Sequence, residues 1–288
     1  MKRIIYILFA VVSIIVTLSG CNVNSERGNG STLSSQERIE SILLEHLSGK
    51  STALEKLQGS VQVIEKKYDG DTFECFIRKA IGDAQTLYII YDVTFPEEVD
   101  LTCGNGEDIT PAICQLEKKD GSILVLDMWD TEILVEDGQT RTFLTSFCSW
   151  DTWKSNEAVN FSVGKFQKTD GYNETIITDE VARFTWNATN HTECLEKEIN
   201  LTDGENGKIR VSPFGLSFVM ESTNKADLTP MIDGLEILFI DGHTTKPKGA
   251  TSGTHDGEEM QVLIRFYNLM DLDAVEGVLI GEDTILFQ

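Results

Sequence analysis

Leu87-Tyr88-Ile89-Ile90-Tyr91-Asp92-Val93-Thr94-Phe95-Pro96 decides the fold class of this 288-residue chain. Leu87, Ile89, Tyr91, Val93 and Phe95 alternate with Tyr88, Ile90, Asp92 and Thr94. A period of two places one apolar row on a single face of a strand. Pro96 has no N–H to give a ladder and stops the run.

The same alternation returns at Phe214, Leu216, Phe218 and Met220. Shorter β-like runs lie at Val61–Lys66, Thr72–Lys79, Ser122–Met128, Glu132–Val135, Thr142–Phe147, Ala158–Phe166, Thr175–Ile177 and Ala182–Trp186. Others follow at Leu235–Ile240, Gln261–Tyr267, Val275–Ile280 and Thr284–Phe287. Between them stand Asp-Gly pairs, among them Asp69-Gly70, Asp137-Gly138, Asp170-Gly171 and Asp241-Gly242. Asp-Gly suits the positive-φ corners of tight hairpins, so the pattern predicts antiparallel sandwiches. Long amphipathic helices between strands are missing, which argues against a parallel α/β fold.

The polar stretch Gln167–Glu174 divides the β region into halves of about the size of immunoglobulin units. The expected fold is therefore mainly β: two tandem immunoglobulin-like antiparallel β-sandwich domains, 59–166 and 167–288. A helical segment at 34–58 precedes them. There Ser34 and Glu37 form a capping box, and Ile39, Ile42, Leu43, His46 and Leu47 share one helix face. His46 is read as a packing residue of that face.

The first twenty residues carry a different signal. Lys2 and Arg3 precede an apolar run from Ile4 to Val16. At about 1.5 Å per residue that run spans roughly 20 Å, short of the roughly 30 Å of a bilayer core. A basic start, a short apolar run and small residues make a secretory signal. Leu18-Ser19-Gly20-Cys21 resembles the lipobox of bacterial lipoproteins. The resemblance implies removal of residues 1–20 and lipidation of Cys21, which would hold the chain at the extracytoplasmic face of the cell membrane. Two acyl signals are what stable anchoring requires. Residues 21–33, small and polar, would form the tether.

Charge narrows the partners. The chain holds 47 acidic and 24 basic side chains, a formal net charge of −23. Loss of Lys2 and Arg3 with the signal makes the exported part more acidic still. Nucleic acid is excluded as a partner, because its binding rests on clustered Lys and Arg. Anionic headgroups would repel the body of the protein. The expected partners are the membrane, through the lipid on Cys21, and an envelope protein or glycan.

Five cysteines remain beyond Cys21: Cys75, Cys103, Cys114, Cys148 and Cys194. Cys103 and Cys114 flank a Gly- and Pro-containing loop and are open to a local disulfide. Small buried apolar residues are the preferred reading for most of the five. No Cys-x-x-Cys pair supports a zinc ribbon or thiol redox motif.

Patterns that carry chemistry are few. No Gly-x-Ser-x-Gly, Ser-x-x-Lys, His-Glu-x-x-His or phosphate-binding Gly-x-x-x-x-Gly-Lys stretch occurs. A metal or ligand loop is open at Asp241, His243, His255 and Asp256, in a long polar connection from Asp241 to Met260. A plain solvated connection is the competing reading. His191 with Cys194 is a single ligand pair without partners, and Asp203-Gly204-Glu205-Asn206-Gly207 lacks the spacing of a calcium-binding EF-hand. Trp150 and Trp153, with polar residues between them, are candidates for a sugar-stacking platform. Burial of tryptophan in a sandwich core is the alternative. No catalytic residue and no cofactor is implied.

A second resemblance concerns the body of the chain. Gly82–Glu98, with Asp83 and the strand Leu87–Val93, resembles the first domain of a Firmicutes family of unknown function. Ile209–Ser217 and Phe239-Ile240-Asp241-Gly242 resemble its second. That family forms the extracytoplasmic part of anti-sigma-factor-like membrane proteins. The resemblance implies two immunoglobulin-like sandwiches outside the cell, with no established activity. Here a lipid would replace the family's cytoplasmic segment and spanning helix. The functional expectation is a non-catalytic binding or sensing module. An envelope polysaccharide-binding protein, or a hydrolase with an acidic site, is the alternative.

Overall fold

The computed structural model describes residues 60–119, 126–149, 156–189, 192–200, 206–221, 232–255 and 259–287. The helical segment 34–58, the tether and Cys21 lie outside them. Among the described residues no helix is long and apolar enough to cross a membrane.

The opening motif is the centre of the first sandwich. It forms β3 (Thr86–Thr94), flanked by β2 (Glu74–Gly82) and β6 (Thr140–Ser149), with β1 (Gln62–Asp69) and β5 (Leu126–Asp137) at the edges. All neighbours in this five-stranded sheet are antiparallel. The facing sheet holds β4 (Asp108–Lys118) against β7 (Glu157–Thr169). On the other side of β7 lie β8 (Glu174–Ile176) and β9 (Val181–Ala188). The apolar row of β3 points between the sheets, where Leu87, Ile89, Tyr91 and Val93 are buried with Phe143, Phe161 and Phe166. Tyr91 stacks on Phe143 with ring centroids 5.4 Å apart and meets Phe161 of the facing sheet at 5.5 Å. Each fully buried aromatic of this kind contributes about 1.5–3 kcal/mol by removal of apolar area from water.

The Tyr91 hydroxyl is polar yet wholly buried. It is satisfied by Thr145 Oγ1 at 3.0 Å, which in turn lies 2.8 Å from Thr131 Oγ1. Burial pushes the phenol well above its ordinary range, so it stays a neutral partner in this chain of hydroxyls.

The second sandwich has one sheet ordered β10 (Leu195–Asn200), β11 (Asn206–Val211), β12 (Gly215–Glu221), β16 (Glu259–Phe266), β15 (Gly249–His255). The other is ordered β14 (Thr244–Thr245), β13 (Leu235–Phe239), β17 (Val275–Ile280), β18 (Asp283–Leu286). Ile209, Phe218 and Val262 of the first meet Ile237 and Val278 of the second in a separate core.

Three expectations are corrected. The division placed at Gln167–Glu174 falls inside the first sandwich, because Asp170-Gly171 is the corner of the β7–β8 hairpin and β9 packs in the first core. Gly171 supplies the corner's φ of +87°. The polar stretch was a hairpin tip, and the chain passes to the second sandwich between Ala188 and Leu195. The connection Asp241–Met260 is not all loop, since Gly249–His255 pairs along β16 as an edge strand. Its Gly, Ser and Thr residues carry no apolar alternation. The third correction adds strands β4, β10 and β11, rich in charged and small residues, which the alternation did not reveal.

The outer face of the β3 sheet is apolar as well. Ile81, Tyr88, Ile90 and Leu144 form a third buried cluster together with Phe214 and Leu269 of the second sandwich. The outward-facing Tyr88 and Ile90 of β3 are therefore buried as well as its inward row.

Candidate functional site

Register places Asp69, Thr94 and Thr140 at one end of the first sheet and pairs Asp108 with Thr169 in the facing sheet, and the β3–β4 connection brings these two ends together around one cleft. The loop that crosses this end leaves β3 at Phe95 and joins β4 at Asp108. Phe95 and Leu101 anchor it in the core. Gln139 Nε2 donates to Pro96 O at 2.6 Å and to Val99 O at 3.0 Å. Lys168 Nζ donates to Thr102 O at 2.6 Å and lies 3.5 Å from Asp100 Oδ2. The amide of Gly104 donates to Glu107 Oε2 at 2.5 Å.

Between this loop and the β5–β6 hairpin lies an open cleft of ≈ 700 Å³. Glu97, Glu98, Asp100, Glu107, Asp108 and Glu136 line it. The Arg141 guanidinium also lines it and is nearly buried. Its Nη1 donates to Gly138 O at 2.8 Å and Thr140 O at 3.1 Å, and its Nη2 lies 3.3 Å from Glu136. Backbone and side-chain hydrogen bonds from Thr102, with Lys168 nearby, hold the Asp100 carboxyl below its ordinary range. Partial burial pushes the exposed Cys103 thiol up, with Glu107, Asp108 and Glu136 adding to the rise against Lys168. A thiol so placed is protonated at neutral pH and is a poor nucleophile. Among the described residues no histidine lines the cleft.

The residues singled out from sequence fare differently. Asp241 and His243 come together on the β13–β14 turn: Asp241 Oδ1 accepts from the His243 amide at 3.2 Å and contacts Nδ1 of its ring. The ring stacks on Phe239, with centroids 4.3 Å apart. His255 ends β15, on a different strand, and Asp256 lies outside the described residues. Among the described residues no group of three or more His, Cys, Asp or Glu side chains is placed to hold a metal ion. Trp150 and Trp153 also lie outside the described residues. Trp186 belongs to the core, 6.3 Å from Phe161, and Tyr172 stands exposed on the β7–β8 turn. Cys103 and Cys114 are both free thiols, one exposed and one buried.

Sequence reasoning missed the cleft. Its signal was Pro96-Glu97-Glu98-Val99-Asp100 directly after the clearest strand, a run of carboxylates forced into a loop by proline. Glu136 and Arg141 could not be joined to it without knowing that β6 pairs with β3.

Fold and site together define an all-antiparallel double β-sandwich with an acidic loop end. No family model matches the sequence, and no curated protein matches it. Among solved structures the chain is similar to the crystal structure of a conserved domain protein from Bacillus anthracis. The two share 11% identity over 85% of this chain and 83% of that one, with a TM-score of 0.50. This likeness concerns the fold.

Proposed function

We propose that the chain is a lipid-anchored, extracytoplasmic, non-catalytic module that binds or senses an envelope protein or glycan. The observation that carries this reading is geometric. β1 starts at Gln62 opposite Ala80, close to the second sandwich, whereas the acidic cleft lies at the far end of the same strands. The described part of the chain thus begins at the end of the first sandwich opposite the acidic loop end. The lipobox Leu18-Ser19-Gly20-Cys21 supports the tether, and the rich carboxylate lining disfavours an anionic partner there.

The test is photo-crosslinking in intact cells from a probe placed at Glu98, with a second probe at Glu236 on the other sandwich. Specific capture of an envelope component from Glu98 alone supports the reading. Equal capture from both positions, or none from Glu98, counts against it.

A further inference from the structure

The seam between the sandwiches has a buried apolar centre with hydrogen bonds around it. Its centre is apolar: Tyr88 and Phe214 face each other with ring centroids 5.6 Å apart, inside the buried cluster of Ile81, Ile90, Leu144 and Leu269. Polar pins surround that centre. Ser217 Oγ donates to Gln85 Oε1 at 2.7 Å, and the Arg265 guanidinium donates to Ser146 Oγ and reaches Asp130 Oδ2 at 3.5 Å. The connection itself is strapped down, since Thr192 Oγ1 donates to Gly82 O at 2.7 Å.

Gln85 and Gly82 lie at the β2–β3 turn, which is itself rigid. Both the Gln85 and Thr86 amides donate to the buried Asp83 carboxylate, each at 2.7 Å. On the other side, Ser212 Oγ accepts from the amides of Phe214 and Gly215 at 3.2 and 3.1 Å, which fixes the turn that carries Phe214. Linked domains move independently unless their interface is large and hydrophobic. Here both surfaces are preorganised and the contact is apolar at its centre and hydrogen-bonded at its rim.

We propose that the two sandwiches tumble as one rigid body, held by the Tyr88–Phe214 plug and the Thr192 strap. The acidic loop end is then carried at a fixed orientation to the second sandwich. This does not depend on what is bound.

Backbone ¹⁵N relaxation on the whole exported chain reads the coupling directly. The expected result is one rotational correlation time shared by β3 and β12. Two different times, each shorter than the mass of the pair requires, would overturn the proposal. Leu269→Asp places a charge in the plug and should split the shared time into two shorter ones while amide dispersion persists in both sandwiches. Retention of a common time in Leu269→Asp would show that the plug does not carry the coupling. The wild-type measurement decides the matter independently of the variant.

Discussion

Tyr88 and Phe214, 126 positions apart in sequence and on different sandwiches, pack ring against ring with centroids 5.6 Å apart. Tyr88 sits on the outward row of β3, between the inward Leu87 and Ile89. One strand therefore serves two cores. Phe214→Ala removes a ring that is 1% exposed, and a loss of about 3 kcal/mol is expected from the usual cost of deleting a buried phenylalanine. Urea unfolding checks it, with a lowered midpoint as the expected outcome.

Glu180 ties the β1–β2 turn to the segment before β9. Its carboxylate accepts from Tyr68 Oη at 2.7 Å, from Thr72 Oγ1 at 2.7 Å, and from the amides of Thr72 and Asp71 at 2.9 and 3.2 Å. These bonds lower its pKa from 4.5 to about 2. A depressed folded-state value means stability that is present above pH 4.5 and lost as pH falls toward 2. Urea midpoints measured across that window should fall with acidification, and Glu180→Gln should flatten this part of the profile.

The partner of Glu180 gives the opposite limb. The Tyr68 hydroxyl donates to that carboxylate, and this bond first, then burial, raises the phenol from 10 to about 12. A raised folded-state value means stability that is present below pH 10 and lost as pH rises toward 12. Tyr68→Phe should remove that alkaline loss, and should also weaken the acid dependence attributed to Glu180.

Asp92 is the charged exception on β3. It is 8% exposed, accepts from Thr142 Oγ1 at 2.8 Å and pairs with Arg78. Asp92→Ala leaves the partly buried Arg78 guanidinium, 26% exposed, without its carboxylate, and loss of a charged hydrogen-bond partner in such a setting costs about 1–3 kcal/mol. Replacement of both residues, Arg78→Met with Asp92→Leu, should cost less than Asp92→Ala alone. Denaturant midpoints of the three proteins test this ordering.

Gly138 turns the β5–β6 hairpin at φ +56°, with open space where a Cβ would stand. Gly138→Ala therefore meets no clash, and its cost is the left-handed backbone alone, about 1 kcal/mol. Gly138→Asn should cost less, because asparagine tolerates that region better. Thermal unfolding of the two variants distinguishes them.

The strands with strict alternation were legible at once. Leu87–Phe95 and Phe214–Met220 gave both cores from period alone, and the Asp-Gly pairs at 137 and 170 marked real corners. What misled was polarity without pairing information. Gln167–Glu174 is as polar as a linker because a hairpin tip meets the same water. Gly249–His255 reads as loop because an edge strand of small residues gains its order from the β16 ladder rather than from its own side chains. The outward row of β3 held a clue that alternation hides: Tyr88 and Ile90 are too apolar for a solvated face, and the second sandwich covers them. The cleft depends on strands distant in sequence ending side by side, which no local pattern encodes.

Attachment through Cys21 is the proposal on which the membrane location rests. Mass spectrometry of the N-terminal peptide of the protein recovered from the envelope fraction tests it most directly. A chain that begins at Cys21 and carries the mass of a thioether-linked diacylglyceryl group is the predicted result. A chain with an unmodified Cys21, or one that begins elsewhere, would contradict it.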